Sequence, residues 1–435
     1  MYYLLRDVLY VKMVRRVWTR LAVAVFTTLA MFLVAACGSD SAADSEAASG
    51  TGGLDGKPIV IGAICSCSGA QSAALGLLKE VSLAWAESVN AGGGINGHPV
   101  QMMVEDDGGD PAKALRAAKK LIEEKGVVAI VGDGSVADAA FADYVSKKGV
   151  PVVGGLPVES TFLTNPDFFA TGSSLPVGLV GSFMEAEAAG VRKMGVLYCA
   201  ESPVCAQVEG LATAAASLVD GIEVTFGQIS ATAPDYNAPC LSMKEQGVDG
   251  LFVVHNGSVL GRVFKSCAQQ GFTPTPVANA TPIIPELLTI KELEGILIAA
   301  PAVMYTDASV PAVAEFLEAL DAYAPGVRNS PQFSYTTIIP WLSGKLFEAA
   351  AEVADLSPDS KPADVKRGLY ALRDETLDGL MAPTTYVEGK PTFTPCYFTG
   401  TIESGAYATP DGSAPKCLTE EKATALGKIL ADLGS

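Results

Sequence analysis

The stretch VVAIVGDGSVADAAFADYVSKKGVPVV, residues 127–153, decides the fold class. Val127 to Val131 is a short run with the composition of a buried strand. Ala137 to Lys147 follows with helical spacing, and Val150 to Val153 is a second strand. Strand, crossover helix and strand make the unit of a parallel sheet. The same alternation runs upstream. Pro58 to Ile64 (PIVIGAI) is a strand. Leu77 to Val89 is a helix that gathers Leu78, Val81, Leu83, Trp85 and Val89 mostly on one side. Val100 to Val104 is the next strand. Pro111 then opens a helix behind the cap Asp110, running to about Lys125. Such an order predicts an α/β fold whose parallel sheet is covered on both faces.

Downstream the pattern restarts. Val177 to Ala189, Cys205 to Leu218, Cys240 to Gln246 and Leu260 to Gln270 read as helices. Met194 to Tyr198, Glu223 to Gln228 and Gly250 to Val254 read as strands. Two Rossmann-like lobes fit this better than one large sheet. Residues 311–375 are mostly helical, over Ala312 to Tyr323, Thr336 to Ala354 and Ala363 to Leu372.

Composition removes whole classes of function. The chain has 435 residues, 30 basic against 48 acidic, for a net charge of -18. That excess of acid excludes a nucleic-acid binder, which needs a basic face, and attachment to anionic lipid by charge alone. With 49% hydrophobic and 18% charged residues, the bulk is not disordered. Beyond the N-terminus no apolar run approaches the ~20 residues that span a bilayer.

The N-terminus has the marks of an export signal. Arg15, Arg16 and Arg20 precede an apolar segment from Leu21 to Val34, and Val34-Ala-Ala-Cys37 closes it. The last four residues resemble the lipobox of bacterial lipoproteins, where small residues precede a cysteine that is lipidated. The resemblance implies a signal peptide over residues 1–36, started at Met1 or Met13, and a lipid on Cys37. Residues 37–57, rich in Gly, Ser, Ala and Asp, are expected to tether the fold to the outer face of the cytoplasmic membrane. Eight cysteines remain, an even number in an exported chain, which favours disulfides. Cys199 and Cys205 bracket a short loop, Cys396 and Cys417 a longer one, and Cys240 and Cys267 flank a helix–strand–helix stretch. Cys65 and Cys67 are then left for each other in a tight ring, with their connectivity open. Only two histidines exist, and no second Cys pair lies near Cys65-x-Cys67, so no metal site is expected.

Gly132-Asp-Gly-Ser-Val-Ala137 fits the G-x-G-x-x-A dinucleotide pattern, but it follows the third strand of its unit rather than the first. A nicotinamide is also not expected outside the membrane, and no cofactor is assigned. The backbone N–H groups at this helix start, with the Ser135 hydroxyl, suit a ligand carboxylate. The alternative is a cap and tight turn alone. No G-x-S-x-G elbow occurs. His98 lies in a Gly-rich turn and His255 ends a strand at the mouth of the second lobe, so no catalytic triad assembles and no enzyme activity is expected. Glu105, Asp106 and Asp107 read as a solvated strand end.

Asn90-Ala-Gly-Gly-Gly-Ile-Asn-Gly97, Val104-Glu-Asp-Asp107, Asp110-Pro111, Lys119-Lys-Leu-Ile122 and Val127-Val-Ala-Ile-Val-Gly132 form a long ordered signature. It closely resembles the solute-binding proteins of branched-chain-amino-acid-type ABC importers, which have the type I periplasmic binding protein fold. The resemblance runs from about Pro58 to the C-terminus. It implies two α/β lobes joined by a three-crossover hinge and closing over a small molecule. The implied lobes are residues 58–174 with 303–391, and 175–302 with 392–435. The partners implied are a small-molecule ligand and the ABC permease subunits, with a monomeric protein. A ligand-sensing role for a membrane receptor and, more remotely, an exported enzyme are the alternatives.

Ligand contacts are implied at Ser68 and Gly69 on one wall, and at Asp133, Gly134 and Ser135 as a cradle for a carboxylate. Pro157, Glu159 and Ser160 form a second cradle, whose register is open by a residue. The other lobe would supply Tyr198, His255, Asn256 and Asn279. The family's acid for an ammonium group is missing around Asn279, where the chain reads Ala278-Asn-Ala-Thr281. The expected ligand is therefore an amino acid or related small carboxylate or amide with an apolar body, rather than a simple branched-chain amino acid. Glu159, reaching across the cleft, is the rival partner for an ammonium.

Overall fold

The computed structural model describes residues 47–48, 54–156, 159–201, 205 and 207–433. The leader, Cys37 and Pro157 lie outside the described residues. The two sheets belong to one unit of the chain, Glu46 to Ser435.

The first sheet contains β1 (Ala47–Ala48), β2 (Ile59–Cys65), β3 (Val100–Asp106), β4 (Ile130–Asp133), β5 (Val152–Gly155) and β6 (Phe168–Phe169), in the order β1-β3-β2-β4-β5-β6. All its neighbours pair in parallel except β1, which adds a short antiparallel edge to β3. Ala47 and Ala48 fall within the stretch whose composition reads as a tether. The second sheet contains β7 (Lys193–Cys199), β8 (Glu223–Ile229), β9 (Gly250–Val254), β10 (Thr275–Asn279) and β11 (Leu297–Ala300), in the order β8-β7-β9-β10-β11. Its core therefore repeats the order of β3-β2-β4-β5-β6. The strand β12 (Cys396–Glu403) then joins antiparallel to β11, and β13 (Ala406–Ala408) and β14 (Lys416–Cys417) both pair with β12.

The strands β2, β4 and β9 are almost fully buried, as strands covered on both faces of a parallel sheet are, whereas the edge strand β8 is largely half-buried. The helix Pro111–Lys119 begins as expected, with the Asp110 carboxylate accepting the Lys113 N–H at 2.8 Å. Its continuation, Lys120–Glu124, widens to π geometry. Helix Ile339–Ala354, from the late helical region, packs across β4, β5 and helix Leu78–Ala91. Contact there is backbone-close: a Cβ on Gly344 would lie 2.3 Å from the Trp85 ring. The Trp85 Nε1–H donates to Glu348 Oε1 at 2.7 Å, which satisfies the one polar atom of a fully buried indole.

The chain passes between the two sheets three times: after β6, after β11, and before β12. The first two passages are pinned to each other, with the Ser173 N–H donating to the Pro301 carbonyl at 3.0 Å. The Ala302 N–H donates to the Tyr335 hydroxyl at 2.7 Å, and the Tyr386 hydroxyl to the Ala170 carbonyl at 2.8 Å. Four disulfides are formed: Cys65–Cys67, Cys199–Cys205, Cys240–Cys267 and Cys396–Cys417.

Candidate functional site

In open parallel sheets ligands bind beyond the carboxyl ends of the strands. Here those ends carry Cys65, Asp106, Asp133 and Gly155 in the first sheet, and Cys199, Val254 and Asn279 in the second. The turn after β3 folds inward. Asp107 is fully buried, so the reading of Glu105–Asp107 as a solvated end fails at its last residue. Asp107 Oδ1 accepts from the Ser66 hydroxyl and the Gly109 N–H, both at 2.7 Å. Its Oδ2 accepts from the Ser135 hydroxyl. The Ser135 oxygen in turn accepts the Ala137 N–H at 3.0 Å, and its own N–H donates to Asp133 Oδ1 at 3.1 Å. Ser135 is thus wholly buried and its hydroxyl is occupied by Asp107. Gly134 is equally enclosed, since a Cβ there would lie 2.5 Å from Leu78 Cδ1. Ser68 and Gly69 are exposed. Ser68 donates its N–H to Asp106 Oδ1 at 3.2 Å, and Gly69 (φ +74) rests on the Gly108 backbone, which leaves no room for a side chain.

Beside this network stands a second group of acids. Asp133 and Asp138 are each 1% exposed, and each has an Oδ2 without a hydrogen-bond partner. The Thr161 hydroxyl donates to Asp138 Oδ1 at 2.9 Å. Burial pushes Asp138 up to about 6 and holds Asp133 well above the usual carboxylate range, where the charge of Asp138 adds to the effect. Burial, then the charge of Asp138, pushes Glu159 up to about 7. Ser160, the next residue, is exposed. Asp107 and Asp138 were not among the residues expected at the site. Asp138 directly precedes the helix Ala139–Lys148, and an acid at a helix start reads as an ordinary cap.

In the second lobe, the Tyr198 hydroxyl donates to Glu209 Oε1 at 2.5 Å. His255 Nδ1 accepts the Asn256 N–H at 2.9 Å, and its Nε2 lies 3.4 Å from Glu201 Oε2. Burial lowers the imidazole's pKa against the pull of Glu201. Glu201 is held down to about 2 by the Ser230 hydroxyl and the Ala231 N–H. Asn256 caps helix Gly257–Gln269, accepting the Val259 N–H at 3.0 Å, and Asn279 Oδ1 accepts the Thr281 N–H at 3.1 Å. Each side-chain carbonyl thus accepts one backbone N–H.

One cavity, of about 670 Å³, draws its walls from the rims of both sheets. Ser160 and Leu163 come from beyond β5, and Cys199 and Val254 from the ends of β7 and β9. Leu175 and Phe393 enter from the chain passages after β6 and before β12. The volume lies within the ~300–1,000 Å³ of small-molecule sites. Among the described residues no group of His, Cys, Asp and Glu is arranged to hold a metal ion.

The chain is similar to proteins that are already known. A leucine-, isoleucine-, valine-, threonine- and alanine-binding protein of Pseudomonas aeruginosa is 25% identical over 67% of this chain and 76% of its own. A fatty acid ABC transporter substrate-binding protein from Thermomonospora curvata superposes with a TM-score of 0.67 at 18% identity, covering 86% of this chain and 95% of that one. A branched-chain amino acid transporter substrate-binding protein from Streptococcus pneumoniae, solved with isoleucine, gives a TM-score of 0.65 at 20% identity over 83% and 99% of the two chains. The sequence pattern of the periplasmic binding proteins matches residues 58–406, and the chain belongs to that family.

Proposed function

We propose that this protein is the lipid-anchored solute-binding subunit of an ABC importer, held by Cys37 at the outer face of the cytoplasmic membrane. It works as a monomer and captures a small organic molecule between its lobes. The cavity shared by both strand-end rims is the observation that carries the reading, because a ligand lodged there touches both lobes. Three chain passages leave the lobes free to approach, and a ligand that contacts both favours the closed form by its differential affinity. The permease then takes the ligand from that form. The names of the relatives above give as ligands branched-chain amino acids, in one case with threonine and alanine, and in another a fatty acid. The departures around Asn279 favour a ligand other than a simple branched-chain amino acid. Native mass spectrometry of protein purified from the envelope tests the reading. A co-purifying small molecule, lost on unfolding, and a diacylated N-terminal Cys37 are expected. A mature N-terminus elsewhere removes the anchor. Failure of any molecule, retained or offered in a broad metabolite panel, to bind removes solute capture.

A further inference from the structure

The cavity drawn from both strand-end rims is walled without charge. Its apolar part includes Leu163, Leu175, Val208, Leu211, Val254 and Phe393. Cys199 and Cys205 add a disulfide, which does not titrate. Its polar part is Ser160, Thr164, Gln207 and Thr392, three hydroxyls and an amide. Among the described residues that line it, none carries a charge. The helix Leu175–Ala188 opens at this wall with Pro176 in its first turn, and Pro176 has no N–H to offer an anion. Phe393 is 42% exposed, so an apolar body laid against it removes surface from water. A charged group brought from water to such a wall meets no opposite charge, which is costly, whereas a hydroxyl or carbonyl needs only a hydrogen bond.

We propose that the ligand is an uncharged, largely apolar molecule with a hydroxyl or carbonyl group, its body lying along Leu211, Val254 and Phe393. The inference rests on the reading of the chain as a solute-binding protein and gives its ligand a chemical class. The Gln207 amide and the Ser160 hydroxyl each offer both a donor and an acceptor, which suits a neutral oxygen of either kind. A free amino acid fits poorly, because it would bring an ammonium and a carboxylate to a wall that answers neither.

Fluorescence titration with N-phenyl-1-naphthylamine, an uncharged probe that brightens in apolar surroundings, tests this at neutral pH. The bound probe is then displaced with octan-1-ol, octanoate and octylamine, which share one apolar body. Octan-1-ol should displace it at concentrations about 10- to 100-fold lower than either charged compound, the scale of leaving a buried polar group unpaired. Gln207 is exposed, so a charge placed there is compatible with folding. Gln207→Glu should bring octylamine closer to octan-1-ol, and Gln207→Lys should do the same for octanoate. Leu211→Trp, which fills the cavity, should abolish probe binding with the melting temperature retained. Equal or stronger displacement by octanoate or octylamine in the wild type overturns the proposal. An unchanged order in both Gln207 variants, or unchanged probe binding in Leu211→Trp, overturns it as well. So does failure of the probe and octan-1-ol to bind while a charged molecule co-purifies, an outcome that leaves solute capture standing.

Discussion

Glu159 makes the empty protein's stability fall as pH rises. Its carboxyl is pushed from 4.5 up to about 7 in the folded chain, chiefly by burial and then by the charge of Asp138. A raised folded pKa means that the neutral form is favoured by folding. The contribution is complete below about pH 4.5 and is lost as pH rises through 7. The displacement corresponds to roughly 3 kcal/mol at about 1.4 kcal/mol per pH unit, as an upper figure for an interacting group. Asp138, pushed from 3.8 to about 6, acts in the same direction at lower pH. An unfolding entropy near 2 cal/mol/K per residue over this chain makes 3 kcal/mol equivalent to roughly 3–4 °C in melting temperature. Thermal melts of wild type and Glu159→Gln from pH 5 to pH 8, without ligand, read it directly. Wild type should lose stability from pH 5 to about pH 7 and level off above it, and the variant should lose less and melt higher at pH 8. Parallel curves for the two proteins would refute the assignment of a buried, charge-crowded Glu159.

Other perturbations have worked magnitudes. Ser135→Ala removes a hydrogen bond to the buried Asp107 carboxyl and should cost about 1.5–3 kcal/mol of stability by chemical denaturation, because Asp107 Oδ2 loses its donor. An unchanged midpoint would show that the Ser135 hydroxyl faces the cleft instead. Gly344→Ala places a methyl 2.3 Å from the Trp85 ring and should destabilise by at least about 1–3 kcal/mol, whereas Gly427→Ala, whose Cβ meets nothing within 4 Å, should be tolerated. Cys240–Cys267 and Cys396–Cys417 close loops of 27 and 21 residues, and each should contribute on the order of 3–4 kcal/mol, checked by paired Cys→Ala variants and non-reducing peptide mapping.

The parallel core was legible because strands buried on both faces are largely apolar, as PIVIGAI is, although the strand expected over Val127–Val131 lies at Ile130–Asp133. The antiparallel β12 was not. Its residues are buried, but Thr399, Gly400 and Thr401 interrupt the apolar run. The acidic triplet Glu105–Asp107 was misread because composition does not reveal that the chain turns at Asp107 and carries its side chain under Ser66 and Ser135. For Asn256 a signal was present. An Asn between a strand end and an apolar helical run is a favoured N-cap, and the side chain does cap that helix. The cavity was illegible for another reason. Leu163, Leu211, Val254, Phe393 and Leu430 lie far apart along the chain and meet only through the fold.

Small-angle X-ray scattering on the purified protein, before and after saturation with the molecule it retains or with the tightest-binding probe, tests solute capture by lobe closure most directly. The account predicts a smaller radius of gyration on binding, reversed when the ligand is removed and absent in Leu211→Trp. A scattering curve unchanged at full occupancy would contradict it.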